Sequence, residues 1–432
     1  MRKRALLNIL ILLTVSSMYM HGQKLVNSPY ARFNAGILNQ PGTFRSLAMG
    51  GISIAMRDNN TISFGNPASY TAFDTTSFIF DMGLDLSSLK LDDGTTKFST
   101  TDMNFRHLMI GFPVSKKIDV AVGIVPYSNG YYYISEQIMN SSPAWNPLTG
   151  DYVSIHKGTG TISMLFAGAG FEITKNISAG FNITGILGKL ERLNSFEFSE
   201  YQSTFSQSGR EKFTISGFNL EYGIQYTGKI SRDYFLTAGI SAAASKNYKS
   251  GFELLKERYA VYNYPPYSPD TLVYYKSDAT DSTRLPGSYR FGVMFGKKDK
   301  FTVGIDYVIT TWNEARIHGG NAEMANTRSL MAGVEYIPEK FSNTSFLRRI
   351  EYRLGGHISD NYLVLNGFQL KEYGISGGLA IRLKNSLSKA SLYLDYTRRQ
   401  GDNSAGLHNE NIFSAGVSLN FHDFWFVKRK YD

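Results

Sequence analysis

From Phe301 the chain reads FTVGIDYVI: Phe301, Val303, Ile305, Tyr307 and Ile309 share one face, while Thr302, Gly304 and Asp306 share the other. A period of two marks a strand with one apolar face. The pattern recurs where Leu392, Leu394 and Tyr396 oppose Ser391, Tyr393 and Asp395, and where Phe218, Leu220, Tyr222, Ile224 and Tyr226 oppose Asn219, Glu221, Gly223 and Gln225. Ile350, Tyr352 and Leu354 likewise oppose Glu351 and Arg353, and Leu330, Val334 and Tyr336 oppose Gly333 and Glu335. The polar faces are small or charged, and the apolar faces often end in an aromatic ring. Lipid outside and a polar lumen inside explain both, which predicts an all-β transmembrane antiparallel barrel.

Such runs number about fourteen, near 76–86, 103–113, 117–126, 158–173, 176–188, 212–228, 232–244, 287–296, 300–310, 328–336, 349–358, 372–383, 388–397 and 411–422. Each is near the roughly 9–11 residues a tilted spanning strand needs. Short connections (VSKK, TK, ISR, KKD, KNS and a longer one near Pro338 to Phe346) alternate with long ones near 87–102, 127–157, 189–211, 245–286, 311–327, 359–371 and 398–410. Short periplasmic turns and long outer loops are expected of a barrel in the outer membrane of a Gram-negative bacterium, and an even strand count predicts both termini in the periplasm. A closed barrel also satisfies every backbone group in lipid. An exported soluble sandwich would alternate too, but gives no reason for the lopsided loops.

The amino terminus fits that compartment. Arg2, Lys3 and Arg4 precede an apolar run from Ala5 to Val15, and small and polar residues follow through Gly22 and Gln23, which predicts a signal peptide over 1–22. The run is shorter than the roughly 20 residues of a membrane helix. The absence of cysteine excludes a lipid-anchored amino terminus, disulfides and thiolate metal sites. The formal net charge of +9 includes the three leader cations, and the rest is scattered with no basic stripe interleaved with aromatics, so nucleic acid is not an expected partner. The 28 Tyr, 29 Phe and 41 Gly beside only 42% hydrophobic residues suit sheets with one apolar and one polar face.

The register points His107, Asp119, Glu221, Arg290, Asp306, Glu335, Glu351, Arg353, Arg382 and Asp395 at the lumen. Both signs are present, which favours internal ion pairs over an ion-selective ring. Among the seven His, His107 and His357 face inward, and His156, His318 and His408 lie in or beside loops. No Ser-His spacing or metal-ligand cluster stands out, so neither an enzyme nor a metal or cofactor site is expected.

One segment is too broken for a strand and too short for a helix. RSLAMGGISIAMRDNNTISFGNPASY, Arg45 to Tyr70, combines Gly50 and Gly51, then Asp58, Asn59 and Asn60, then Phe64, Asn66, Pro67 and Ala68. Proline pins φ and glycine frees it, so the Phe64–Tyr70 stretch is a shaped loop. The segment resembles the amino-terminal plug, or hatch, of the FadL/TodX family of outer-membrane transporters for long-chain fatty acids and other hydrophobic compounds, whose barrels also have about fourteen strands. About twenty residues, KLVNSPYARFNAGILNQPGTF, precede the match, where family members usually start the hatch almost at once.

The resemblance implies a barrel stopped by a hatch, with ligand contacts at Phe64, Asn66, Pro67 and Ala68. A hydrophobic, fatty acid-like molecule is captured at the outer loops and leaves sideways, through a gap at a kinked third strand, into outer-membrane lipid. Here Gly123 and Pro126 lie in or at the end of the third strand, and proline cannot donate to a ladder. Candidate capture residues are the loop aromatics Tyr131, Tyr132, Trp145, Tyr262, Tyr264 and Tyr267. Ser414, Gly416, Leu419 and Phe421 resemble the terminal-strand signal read by the barrel-insertion machinery, but HDFWFVKRKYD continues past Phe421, with Trp425 and Phe426 as candidate interface anchors. The expected division is a signal peptide (1–22), an extension and hatch (23–75), a barrel (76–422) and a periplasmic tail (423–432). Two functions fit: passive uptake of hydrophobic small molecules, or a non-transporting barrel that docks a protein partner in an outer-membrane secretion or assembly complex. The hatch favours the first. The extension and the tail favour the second.

Overall fold

The computed structural model describes residues 28–92, 97–198, 205–259, 270–342, 344–383, 386–402 and 405–424. Fourteen antiparallel strands close into a barrel: β1 (Ser77–Asp92), β2 (Lys97–Pro113), β3 (Ile118–Asn129), β4 (Tyr152–Glu172), β5 (Ile177–Phe198), β6 (Ser206–Lys229), β7 (Tyr234–Ala243), β8 (Ser288–Lys297), β9 (Phe301–Thr310), β10 (Thr327–Tyr336), β11 (Glu351–Leu365), β12 (Phe368–Arg382), β13 (Lys389–Gln400) and β14 (Asn409–Phe424). The ring closes where β14 pairs with β1, from Asn409↔Asp92 to Phe424↔Ser77. The alternation reads directly onto the wall. Along β6, Phe218, Leu220, Tyr222, Ile224 and Tyr226 are exposed, while Glu221 and Gln225 are buried.

Strands β4, β5 and β6 run 21, 22 and 24 residues, about twice what spanning requires. Their outer halves therefore project past the long-loop end as a collar. Two regions expected to be loops complete it. Lys246–Tyr259 and Asp270–Leu285 form a hairpin whose first strand pairs with β6 from Lys249↔Ser216 to Tyr259↔Ser206, and Tyr132–Ile138 pairs with the start of β4. A projecting strand leaves an edge that must be paired, and these sequences supply the pairing without the clean alternation that lipid imposes.

Residues 28–76 run inside the barrel. The inner segment starts at the long-loop end, where Ser28 bonds Glu410 of β14, and finishes at the short-turn end, where Ser77 opens β1 opposite Phe424. Both termini were expected at the short-turn end. Strand β14 finishes there, and Ser28, the first described residue, lies at the long-loop end; the termini themselves lie outside the described residues. Asp423 and Phe424 belong to β14 and not to a tail. The leader, Trp425 and Phe426 lie outside the described residues.

Candidate functional site

The Phe64–Tyr70 loop is built by local chemistry. Asn66 is extended and caps a short 3-10 turn, Pro67–Ala72, with its side-chain oxygen accepting from the Ala68 N–H at 3.1 Å and proline in the first position. Both choices suit a helical start. The Asn66 amide then donates outward to the carbonyls of Ile54, Ile224 and Ile240 at 3.0–3.3 Å. Tyr70 donates to Asn182 of β5 at 2.9 Å, and Ser241 of β7 donates to the Gly65 carbonyl. The loop is thereby stitched to the backbone of the wall.

The wall makes room for it with glycine. Gly170, Gly180 and Gly223 are register neighbours on β4, β5 and β6. A Cβ on Gly180 would lie 2.6 Å from the Pro67 carbonyl carbon, and one on Gly223 would lie 2.0 Å from Asn66 Oδ1. A second bare strip, Gly304, Gly333 and Gly355 on β9, β10 and β11, seats Met49 and Ile52. Sequence reading placed Gly223, Gly304 and Gly333 on polar faces simply as small residues and did not single out Gly170, Gly180 or Gly355. Their clustering is visible only once the register is known.

Charge fixes the other side of the hatch. Arg45, in the short helix Phe44–Leu47, meets Glu335 in a two-bond fork at 3.0 and 2.7 Å and also pairs with Asp58. Glu335 accepts from Arg353 at 2.7 Å, Arg353 also holds Glu351, and Lys389 reaches Glu351 at 2.7 Å. Three cations and three anions balance in a buried row. Burial alone would raise the Asp58 carboxyl, but Arg45, with Lys389 behind it, holds it well below the usual carboxylate range. On the neighbouring strand β9, Asp306 also faces the lumen and accepts the Ser53 and Ile54 N–H groups at 2.6 and 2.8 Å. Of the expected lumen charges, Glu335, Glu351, Arg353 and Asp306 thus hold the hatch or its network.

The extension is bonded to the wall at the opposite end. Ser28 joins Glu410 and Arg399, Tyr30 donates to the His408 carbonyl at 2.7 Å, Arg192 donates to the Asn34 carbonyl, and Tyr362 donates to the Gly36 carbonyl at 2.6 Å. Tyr30 packs in an apolar cluster with Trp312, Tyr362, Leu363 and Leu407. Leu38, Asn39 and Gln40 then line two cavities, of about 330 and 370 Å³. The first is bounded by Phe64, Met164, Tyr248 and Met331 and by the Glu221–Arg290 pair, and the second by Met103, Phe105, Arg106, Thr397 and Arg399. Residues 38–40 stand between the two.

The predicted residues distribute unevenly. Phe64 is buried against Phe166, with ring centres 4.5 Å apart, and lines the first cavity. Asn66, Pro67 and Ala68 spend their contacts on the wall and are buried. Tyr131 lines the second cavity, Tyr132 is buried beside Gly158 within the collar, and Trp145 bonds Asp151 at 2.8 Å. Tyr262, Tyr264 and Tyr267 lie outside the described residues. Gly123 is laddered on both sides, to Met109 and Phe166. Pro126 pairs with Ser163 at a bulge and lines both cavities. Sequence reading missed one arrangement: Ser154 Oγ lies 3.1 Å from His156 Nε2, and His156 Nδ1 lies 2.7 Å from Asn194 Oδ1. Ser154 sits in a ladder between Glu136 and Phe196, so its backbone is committed to pairing on both flanks instead of forming an oxyanion hole. Among the described residues no cluster of His, Asp or Glu could hold a metal.

The family model named BamG matches residues 1–432. The chain belongs to the BamG family. Among solved structures, this BamG-family chain is similar to the CymD monoaromatic hydrocarbon channel at 12% identity, covering 91% of this chain and 98% of that one, with a TM-score of 0.56. The Ralstonia pickettii toluene transporter TbuX gives 13%, 88% and 98%, and 0.56, and a Pseudomonas aeruginosa FadL homologue gives 14%, 90% and 99%, and 0.54. At such identities the likeness shows the fold alone, a FadL-like antiparallel β-barrel. No curated protein matches.

Proposed function

We propose that this BamG-family barrel is a non-transporting subunit that docks a protein partner in an outer-membrane secretion or assembly complex. The observation that carries the reading is the double closure of the lumen. A hatch pinned by ion pairs stops one end, an extension bonded to three strands and the His408 carbonyl stops the other, and residues 38–40 divide what space remains. A channel has no need of the second stopper. The full-length family match supports the same reading, since the hydrocarbon channels share the fold at only 12–14% identity.

A second reading rests on the cavity of about 330 Å³ that Phe64 and Pro126 share. Its walls suit a fatty acid-like molecule, with Tyr131 and Pro126 on the way toward lipid. Purification from native membranes in mild detergent separates the two, with mass spectrometry of co-purifying proteins and extracted lipids. A stoichiometric partner and no small apolar ligand is the expected result; a bound apolar molecule without a partner would overturn it.

A further inference from the structure

Strand pairing between β2 and β3 stops halfway. It runs from Pro113↔Asp119 to Leu108↔Ile124, whereas β2 continues to Lys97 and β3 to Asn129. Both strands carry irregularities at the split. Arg106 is skipped where β2 pairs with β1, between Gly83↔His107 and Leu84↔Phe105, and Tyr127 is skipped where β3 pairs with β4, between Pro126↔Ser163 and Ser128↔Ile162. A bulge of this kind bends a strand and ends its pairing. Beyond it, no strand among the described residues pairs with the far edge of β2 from Phe105 to Lys97.

The matching edge of β3 is not free. Ile37 and Leu38 pair antiparallel with Asn129 and Ser128, and the Asn39 N–H donates to the Tyr127 carbonyl at 2.9 Å. Gly36, at φ +79°, permits the approach, since a Cβ there would lie 2.2 Å from the Asn129 carbonyl oxygen. Carrying the β2–β3 register outward from Leu108↔Ile124 sets Asn104 opposite Ser128. Ser128 is the residue that Leu38 occupies.

We propose that the amino-terminal extension is a wedge: Ile37–Asn39 and the outer half of β2 compete for one edge of β3, and the wall stays split only while the extension is seated. A strand edge without a strand partner tends to be covered or paired, so β2 has a drive to close onto β3 once the edge is vacated. The same segment partitions the cavities, so unseating it closes the wall sideways and joins the two chambers along the barrel axis. The device is independent of whether the protein docks a partner or passes a ligand. It gives the segment from Ser28 to Gln40 mechanical control over the wall.

The chain contains no cysteine, so an engineered pair reports without background. Asn104→Cys with Ser128→Cys is placed in the full chain, in a deletion of residues 28–40, and in Ile37→Pro/Leu38→Pro, which breaks the pairing with least disturbance. Heat-modifiable mobility on gels selects folded barrels in each. The expected result is negligible disulfide in the full chain and a large oxidised fraction in either folded variant. Ready cross-linking in the full chain overturns the wedge even if neither variant folds. Folded variants that stay reduced overturn it as well, because the split would then belong to the bulges alone.

Discussion

The two ends of the inner segment are held by different physics. The hatch, Phe44 to Ala72, lies on two glycine strips and is clamped by a neutral row of six buried charges. The extension, Ser28 to Gln40, has two strand pairs, a handful of bonds to the long-loop ends of the strands and to the His408 carbonyl, and one apolar cluster. Buried charge pairs are costly to break one at a time, because the survivor is left uncompensated. The extension is held by single bonds that pair one of its neutral groups with a wall side chain, as Ser28 with Glu410 and the Asn34 carbonyl with Arg192, each contributing about 0.5–3 kcal/mol. The hatch is therefore built as a fixture and the extension as a removable part.

The largest effect expected from that contrast is at Glu335. Glu335→Ala leaves three buried cations, Arg45, Arg353 and Lys389, facing only Asp58 and Glu351, which should cost about 3–5 kcal/mol, read as a fall in the Tm of the purified barrel and early loss of its heat-resistant band. The wall strips come next. Gly223→Ala forces a methyl against Asn66 and should cost about 1–3 kcal/mol by overpacking. Gly185→Ala is its control, because the nearest atom to a Cβ there is 4.0 Å away, and its unfolding midpoint should not move. Equal effects at both glycines would mean that the strip does not seat the loop. The extension follows: Ser28→Ala removes a hydroxyl that bonds Glu410, Arg399 and the Tyr30 N–H and should cost about 1–2 kcal/mol, visible as faster proteolysis near Ser28 with an unchanged barrel Tm.

This contrast also marks what the sequence could convey. Lipid imposes a strict period of two, so the strands and their inward charges, such as Glu221, Asp306 and Glu335, were legible from alternation alone. Asn66 and Pro67 were legible as a shaped loop because their conformational chemistry is local. The course of the extension was not, since PYARFNAGILNQ has no period and its path is set by Glu410, Arg192 and Tyr362, far away in the chain. The collar hairpin was lost for a related reason. Lys246–Tyr259 answers to the edge of β6 and not to lipid, so its faces mix charge and apolar groups. The glycine seats needed the register of neighbouring strands, which no single run contains.

The smallest and most specific test isolates one member of the clamp by pH. Burial would raise the Asp58 carboxyl, yet Arg45 holds it below its ordinary value in the folded state. A group depressed on folding stabilises the native state fully above its unfolded pKa, near 3.9 for aspartate, and loses that contribution as pH falls toward the folded value. The unfolding midpoint of the wild-type chain should thus drop more steeply than that of Asp58→Asn as pH falls from about 5 to 3. The other carboxylates titrate in both proteins, so the difference between the two curves belongs to Asp58. Parallel curves would show that Arg45 is held by Glu335 alone, and that the clamp spans from helix to wall without including the Asp58 turn. The extension variant Ser28→Ala should leave the difference intact, because its bonds lie at the other end of the barrel.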